Sequence, residues 1–78
     1  MAVSKNRTVG AQVDDAGFVV GVQFFKDAVR SWPAALLGER VVAVAAVAHD
    51  RYLANSPDPD LPRPSPYEVA QAEQRLNF

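Results

Sequence analysis

The segment from Pro33 to Asn55 constrains the fold most, because its apolar residues recur at the spacing of an α-helix. Positions three or four residues apart lie on one side of a helix. Pro33 suits the first turn, where a missing N–H needs no partner. The Ser-Pro pair after Asn55 favours a stop, because the residue before a proline avoids the α region. We therefore predict one long helix with this apolar face: Leu37, Val41, Ala45, Ala48 and Tyr52.

The remaining residues of this helix complete the prediction. Four charged residues are expected on the opposite, solvent-facing side: Glu39, Arg40, Asp50 and Arg51. The apolar face is rich in alanine, which favours tight packing against another element rather than a ligand pocket. His49 is the only histidine of the chain and flanks the apolar face. We interpret it as a hydrogen-bonded interior or interface residue rather than a catalytic base.

The segment from Asp14 to Trp32 supports two interpretations. As a helix, it carries an apolar seam with alternating spacings of four and three residues, typical of a packed helix pair. As a β-hairpin, residues 7–13 and 18–25 form strands around an Asp-Asp-Ala-Gly turn, and the second strand is rich in valine and phenylalanine. The seam is more regular than the alternation, so we favour the helix. Its members are Phe18, Val22, Phe25, Val29 and Trp32.

The two ends of the chain and the link between its helices carry weaker patterns. Residues 1–13 are polar and mixed, which predicts a flexible N-terminal arm. Five of the six prolines fall within residues 56–66, which predicts a stiff, extended connector. Ser65, Pro66 and Glu68 together form a capping box, so we predict a short docking helix over 67–78.

These predictions combine into an all-α fold in a single small domain, 1–78. A helical hairpin of about 15–32 and 33–55 forms the core within residues 14–55, and the Pro-rich connector joins it to the C-terminal helix. The alternative is an α+β fold in which an N-terminal β-hairpin at 7–25 precedes the helices.

Length and composition limit what such a chain does. A chain of 78 residues buries only about 60–65% of its unfolded surface, and the absence of cysteine rules out disulfides. Stability then has to come from helix packing, oligomerisation or a larger partner. Eight basic and nine acidic residues nearly cancel, which argues against a dedicated nucleic-acid binder. We expect no signal peptide or transmembrane segment, and a location in the cytoplasm or within an assembled particle.

The function predicted from these features is non-enzymatic. We expect a structural or accessory subunit that mediates protein–protein contacts in a homo-oligomer or a larger assembly, such as a virion or a multi-subunit complex. No catalytic, cofactor-binding or metal-binding residue is predicted, and no small-molecule ligand is implied. Two alternatives remain: a small DNA-binding regulator using Arg40, Arg51 or Arg75, and an antitoxin-type or inhibitor-type partner protein. The predicted interface consists of Phe18, Val20, Phe24, Phe25, Trp32, Tyr52 and Phe78.

Overall fold

The computed structural model describes residues 1–55 and 63–78 and shows an α+β fold. Three strands form one antiparallel sheet in the order β1-β2-β3. A 3₁₀ helix at Asp27–Ser31 follows the sheet, and two α-helices complete the fold. The all-α prediction is therefore wrong, and the alternative with an N-terminal β-hairpin is confirmed. The elements are β1 (Ala2–Val3), β2 (Val9–Val13), β3 (Val19–Phe24), α1 (Ala34–Ala54) and α2 (Pro66–Gln74).

The turn between β2 and β3 explains why this segment is a hairpin rather than a helix. One carboxylate oxygen of Asp14 accepts hydrogen bonds from the backbone N–H groups of Ala16 and Phe18, each at 2.9 Å. Gly17 follows with φ of 86°, in the left-handed region that glycine occupies at little cost. A tight turn followed by a left-handed glycine is a standard hairpin connection. The Asp-Asp-Ala-Gly sequence thus reverses the chain and fixes the pairing of β2 with β3.

The N-terminal residues belong to the sheet, so the flexible arm predicted at 1–13 is wrong. The turn between β1 and β2 is organised by Ser4, whose buried hydroxyl accepts from the backbone N–H groups of Thr8 and Val9. Arg7 adopts a left-handed φ of 56° within this turn. The Ser4 hydroxyl takes the place of the backbone carbonyl acceptors that these buried N–H groups would otherwise need. This explains how a strand of only two residues is held at this edge.

Helix α1 confirms the long helix predicted over 33–55, but its buried face differs from the predicted one. Val44, Val47 and Ala48 are the buried residues of α1, and they pack against Ala2, Val9 and Ala11 of the sheet. Helix α1 covers β1 and β2, whereas α2 packs on its other flank. The core therefore lies between one face of the first two strands and the helices.

Arg40 and Arg51 were predicted to lie on the solvent-facing side of α1, and this prediction is wrong. The guanidinium carbon of Arg40 lies 4.2 Å from the centre of the Trp32 ring, and Arg51 pairs with Glu73 of α2. Both positions fall within about 60° of Val44 on a helical wheel, close enough for long side chains to reach neighbouring elements at the edge of the core.

Helix α2 begins as predicted, with the Ser65 hydroxyl accepting from the backbone N–H of Glu68 at 3.1 Å. It ends at Gln74, four residues before the predicted end. The last residues instead run beside the β1–β2 turn, where the Lys5 N–H donates to the Leu76 carbonyl at 2.8 Å. Residues 56–62, most of the predicted connector, lie outside the described residues. In the described ranges, no helix combines the length and apolar character that crossing a membrane requires.

Candidate interaction surface

Strand β3 ends the sheet with an open hydrogen-bonding edge. Across residues 1–55 and 63–78, no strand pairs with its outer side. The Phe25 N–H donates to the Thr8 carbonyl at 3.0 Å, which sets the phase of the ladder between β2 and β3. Because backbone groups of successive strand residues point to opposite edges, those of Val22 and Phe24 point away from β2. This edge can therefore accept another strand.

The side chains of β3 that face the helix side of the sheet are not covered by α1. Phe24 pairs with Val9 and Val22 pairs with Ala11, and paired residues share a face of the sheet. Val9 and Ala11 are 0% and 1% exposed because α1 lies over them, whereas Phe24 and Val22 are 51% and 38% exposed. The helix thus covers two strands and leaves much of the third exposed.

A β-bulge at the start of β3 adds to this apolar row. Val13 pairs with Val19 and Gln12 pairs with Gly21, so Val20 is an extra residue in β3. Both valines therefore lie opposite Val13, and both are exposed. A bulge twists an edge strand, and here it leaves the segment from Gly21 to Phe24 in regular pairing.

Helix α1 lies next to the hairpin formed by β2 and β3. His49 Nδ1–H donates to the Gly17 carbonyl at 3.1 Å, so this side of α1 contacts the turn between β2 and β3. Val42 lies two helical turns earlier on the same side, and it is 68% exposed. We call the exposed apolar residues of β3, together with Phe18 just before it and Val42 of α1, the β3 edge surface; they are Phe18, Val19, Val20, Val22, Phe24 and Val42.

Charge is absent from the strand and concentrated at its ends. From Ala16 to Phe25 the sequence contains no Asp, Glu, Lys or Arg. Asp14 and Asp15 precede this run, and Lys26 follows it. Natural edge strands usually carry a lysine, another charge or a proline, which discourages pairing with other chains. Beyond its bulge, β3 lacks these protections.

The opposite edge of the sheet is closed, in contrast. The backbone N–H of Val3 in β1 donates to Glu73 Oε2 at 3.0 Å. The same carboxylate accepts from both terminal nitrogens of Arg51, at 3.0 Å and 3.1 Å, and Arg51 also donates to the Met1 carbonyl. The Arg51 hydrogen bonds are the main cause that lowers the pKa of Glu73, and the Val3 N–H adds to this effect. Helix α2 therefore occupies the β1 edge and leaves β3 as the accessible one.

The structure divides the predicted interface residues into two groups. Trp32 and Phe78 make an edge-to-face contact at 6.2 Å, and the Arg40 guanidinium lies over both rings. Tyr52 packs against Gly17, where an added Cβ would lie 2.7 Å from its ring. These three aromatics make contacts within the chain, and Phe25 lies partly over Gly10 of β2. Phe18, Val20 and Phe24 remain exposed on the β3 edge surface.

Val19, Val22 and Val42 belong to this surface but are not among the predicted interface residues. The helix interpretation places Val22 in its seam and Val42 on a flank of the apolar face of α1. The uncharged run from Ala16 to Phe25 is the signal that could have identified Val22, because it spans a whole strand.

Other groups of polar residues in the described ranges give weaker support for a binding site. Among the described residues, no group of three or more potential ligand side chains could hold a metal ion. A cleft of about 700 Å³ near the β1–β2 turn is lined in part by Lys5, Arg7 and Lys26. All three cations are exposed side chains, and the Glu73 carboxylate beside them already pairs with Arg51. The cleft is thus an open basic surface without a rigid set of donors.

Comparison with protein-family models, curated proteins and solved structures found no significant match to this chain.

Proposed function

We propose that this protein is a non-enzymatic interaction module that binds another protein chain through strand β3. The observation that carries the proposal is the open, uncharged β3 edge with exposed apolar side chains beside it. Strand addition to such an edge combines backbone hydrogen bonds, which supply affinity, with side-chain contacts, which supply specificity. A structural or accessory role in an assembly requires a surface of this kind.

The size of the β3 edge surface supports a macromolecular partner. Its six residues expose about 600 Å², estimated from their exposed fractions, which is the upper end for the largest apolar patch of a monomer. The surface is a strand edge beside a helix rather than an enclosed cavity of the kind that small ligands occupy. Aromatic residues such as Phe18 and Phe24 are enriched in protein interfaces.

The DNA-binding alternative receives less support from the same structure. The guanidinium groups of Arg40 and Arg51 are engaged with Trp32 and Glu73 inside the fold. Contact with phosphates would require both side chains to leave these partners. Two of the three arginines on which that alternative depends are therefore committed to stabilising the fold.

Site-specific photo-crosslinking in living cells tests the proposal for a protein partner of any identity. A photoreactive amino acid replaces Gln23, which is exposed on β3, and a matched control carries it at Ala70, which is exposed on α2. We expect a discrete protein adduct from position 23 that is absent from position 70. Loss of this adduct with Phe24→Glu would assign the contact to the β3 edge surface. An adduct pattern at position 23 no different from that at position 70 would refute the proposal.

A further inference from the structure

We infer that β3 pairs antiparallel with β3 of a second copy of this chain, around a two-fold axis at Val22. This inference rests on the proposed function and names its partner. The pairing joins the two sheets into one six-stranded sheet with β3 of each copy at the centre. The β1 edges, where Glu73 accepts from Val3, lie at its two outer ends.

The phase of the backbone makes this pairing self-consistent. The outward N–H and C=O groups belong to Val22 and Phe24, as the Phe25–Thr8 hydrogen bond sets the alternation. An axis at Val22 places this residue opposite Val22 of the second copy, with both backbone edges in hydrogen-bonding phase. Phe24 then lies opposite the bulge at Val20 of the second copy, where an aromatic and a β-branched side chain come into contact.

Charge favours the antiparallel orientation over the parallel one. The acidic turn with Asp14 and Asp15 lies at one end of β3, and the other end is followed by Lys26, Asp27 and Arg30, which carry a net charge of +1. Antiparallel pairing brings the acidic end of each copy to the basic end of the other, whereas parallel pairing brings like charges together. With the axis at Val22, the seven uncharged residues from Val19 to Phe25 oppose each other without repulsion.

The exposed area of the β3 edge surface is comparable to what a second copy needs. A stable interface buries about 800 Å² per partner, and the six residues of the β3 edge surface expose about 600 Å², backbone included. A two-fold axis perpendicular to the sheet places both α1 helices on the same face. The exposed rows of the two β3 strands then lie side by side between these helices.

A charge pair across the axis tests the inference. Val22→Lys places two lysines opposite each other, and Val22→Glu places two glutamates opposite each other, so each variant alone should dimerise at least about tenfold more weakly. Mixing the two variants puts lysine opposite glutamate and should restore a 1:1 dimer. Masses from light scattering after size exclusion, measured over a range of concentrations, report each state. Val22 is 38% exposed, so circular dichroism should show both variants folded.

Cysteine crosslinking tests the register. The chain contains no cysteine, so each variant carries a single thiol. Paired residues in a hydrogen-bonded register have Cα atoms about 5.5 Å apart, within the range for a disulfide. We expect Val22→Cys to form a disulfide dimer under mild oxidation, and an equimolar mixture of Val20→Cys and Phe24→Cys to form a mixed one. The control Gln71→Cys, exposed on α2, should remain reduced under the same conditions.

The outcomes separate this inference from the proposed function. Wild-type protein that stays monomeric at all concentrations would overturn the second-copy inference. So would a mixture of the lysine and glutamate variants that associates no better than either alone, or Val22→Cys that oxidises no faster than Gln71→Cys. In these cases a photo-adduct of different mass at position 23 would leave the proposed function intact. An adduct of twice the chain mass supports both.

Discussion

The contact between Arg51 and Glu73 allows a quantitative test of how the β1 edge is closed. Glu73→Gln keeps the shape of the side chain but removes its charge. In the structure the carboxylate accepts three hydrogen bonds, at 3.0, 3.0 and 3.1 Å, from the Val3 N–H and the Arg51 guanidinium. A hydrogen bond to a charged group contributes about 1.5–3 kcal/mol, and partial exposure of both side chains weakens it. We expect a loss of about 1–2 kcal/mol in unfolding free energy at pH 7.

The pH dependence of this loss gives a second, independent readout. Its contacts lower the pKa of Glu73 from the ordinary value of 4.5, mainly through the Arg51 hydrogen bonds. A carboxyl group whose pKa is lower in the folded state stabilises the fold above its unfolded pKa, and this contribution disappears as the pH falls through the folded pKa. The difference between wild type and Glu73→Gln should therefore be complete at pH 7 and shrink below pH 4.5.

Urea unfolding followed by circular dichroism measures both quantities, at one protein concentration because association shifts apparent stability. The control is Glu39→Gln, an equal change of charge at an exposed position of α1, which should alter stability by no more than about 0.5 kcal/mol. A Glu73→Gln variant as stable as wild type at pH 7 would refute the role assigned to this carboxylate. A difference between them that stays constant down to about pH 3 would refute the assigned cause of its lowered pKa.

Three turn positions, with Gly38 as a helix-surface comparison, give further predictions, each measured by thermal unfolding. Ser4→Ala removes the acceptor of two buried N–H groups and should cost about 1–3 kcal/mol; an unchanged melting temperature would contradict the role assigned to this hydroxyl. Gly17→Ala should cost a similar amount, because φ is 86° and the new Cβ would lie 2.7 Å from the Tyr52 ring. Gly38→Ala lies on an open helix surface and should increase the unfolding free energy by about 0.5–1 kcal/mol. Arg7→Gly should stabilise by about 1 kcal/mol, since it relieves a left-handed φ of 56°; a loss would mean that the side chain matters more than the backbone.

The helices could be predicted from the sequence because each has a strong local signal. Helix α1 has a clear helical period, and α2 has Ser65 and Pro66 at its start. The rotation of α1 about its axis could not be predicted from its apolar residues alone. Both Arg40 and Arg51 lie beside the core because partners from distant segments, Phe78 and Glu73, are there to receive them.

The hairpin is hard to predict because the bulge disturbs the alternation that identifies a strand. Val20 is an extra residue, so Val19 and Val20 point to the same side and the period of two is lost at the start of β3. Exposure of β3 on both faces removes the contrast between apolar and polar positions. The turn signal at Asp14–Gly17 is local and correct, and it is a better guide here than the helical seam. Strand β1, with two residues, has no period to detect.

Among the interface residues, Phe18, Val20 and Phe24 could be proposed from their surplus apolar character, and they are exposed in the structure. Trp32 and Phe78 have the same sequence signal, yet they contact each other. Composition identifies which side chains are able to anchor a partner. Only the three-dimensional arrangement shows which of them already have a neighbour in their own chain.

The hydrogen bond from Val3 to Glu73 spans 70 residues, so the β1 edge can close only after most of the chain has been made. At a synthesis rate of about 5–20 residues per second, the β1 edge waits roughly 4 to 14 s for α2 to be made. Until then a nascent sheet has two open edges, and units with two open edges add end to end without limit. Once Glu73 docks, only β3 stays open, so the proposed pairing would end at two. Under that proposal, helix α2 would act as a terminator that limits the sheet to a finite size.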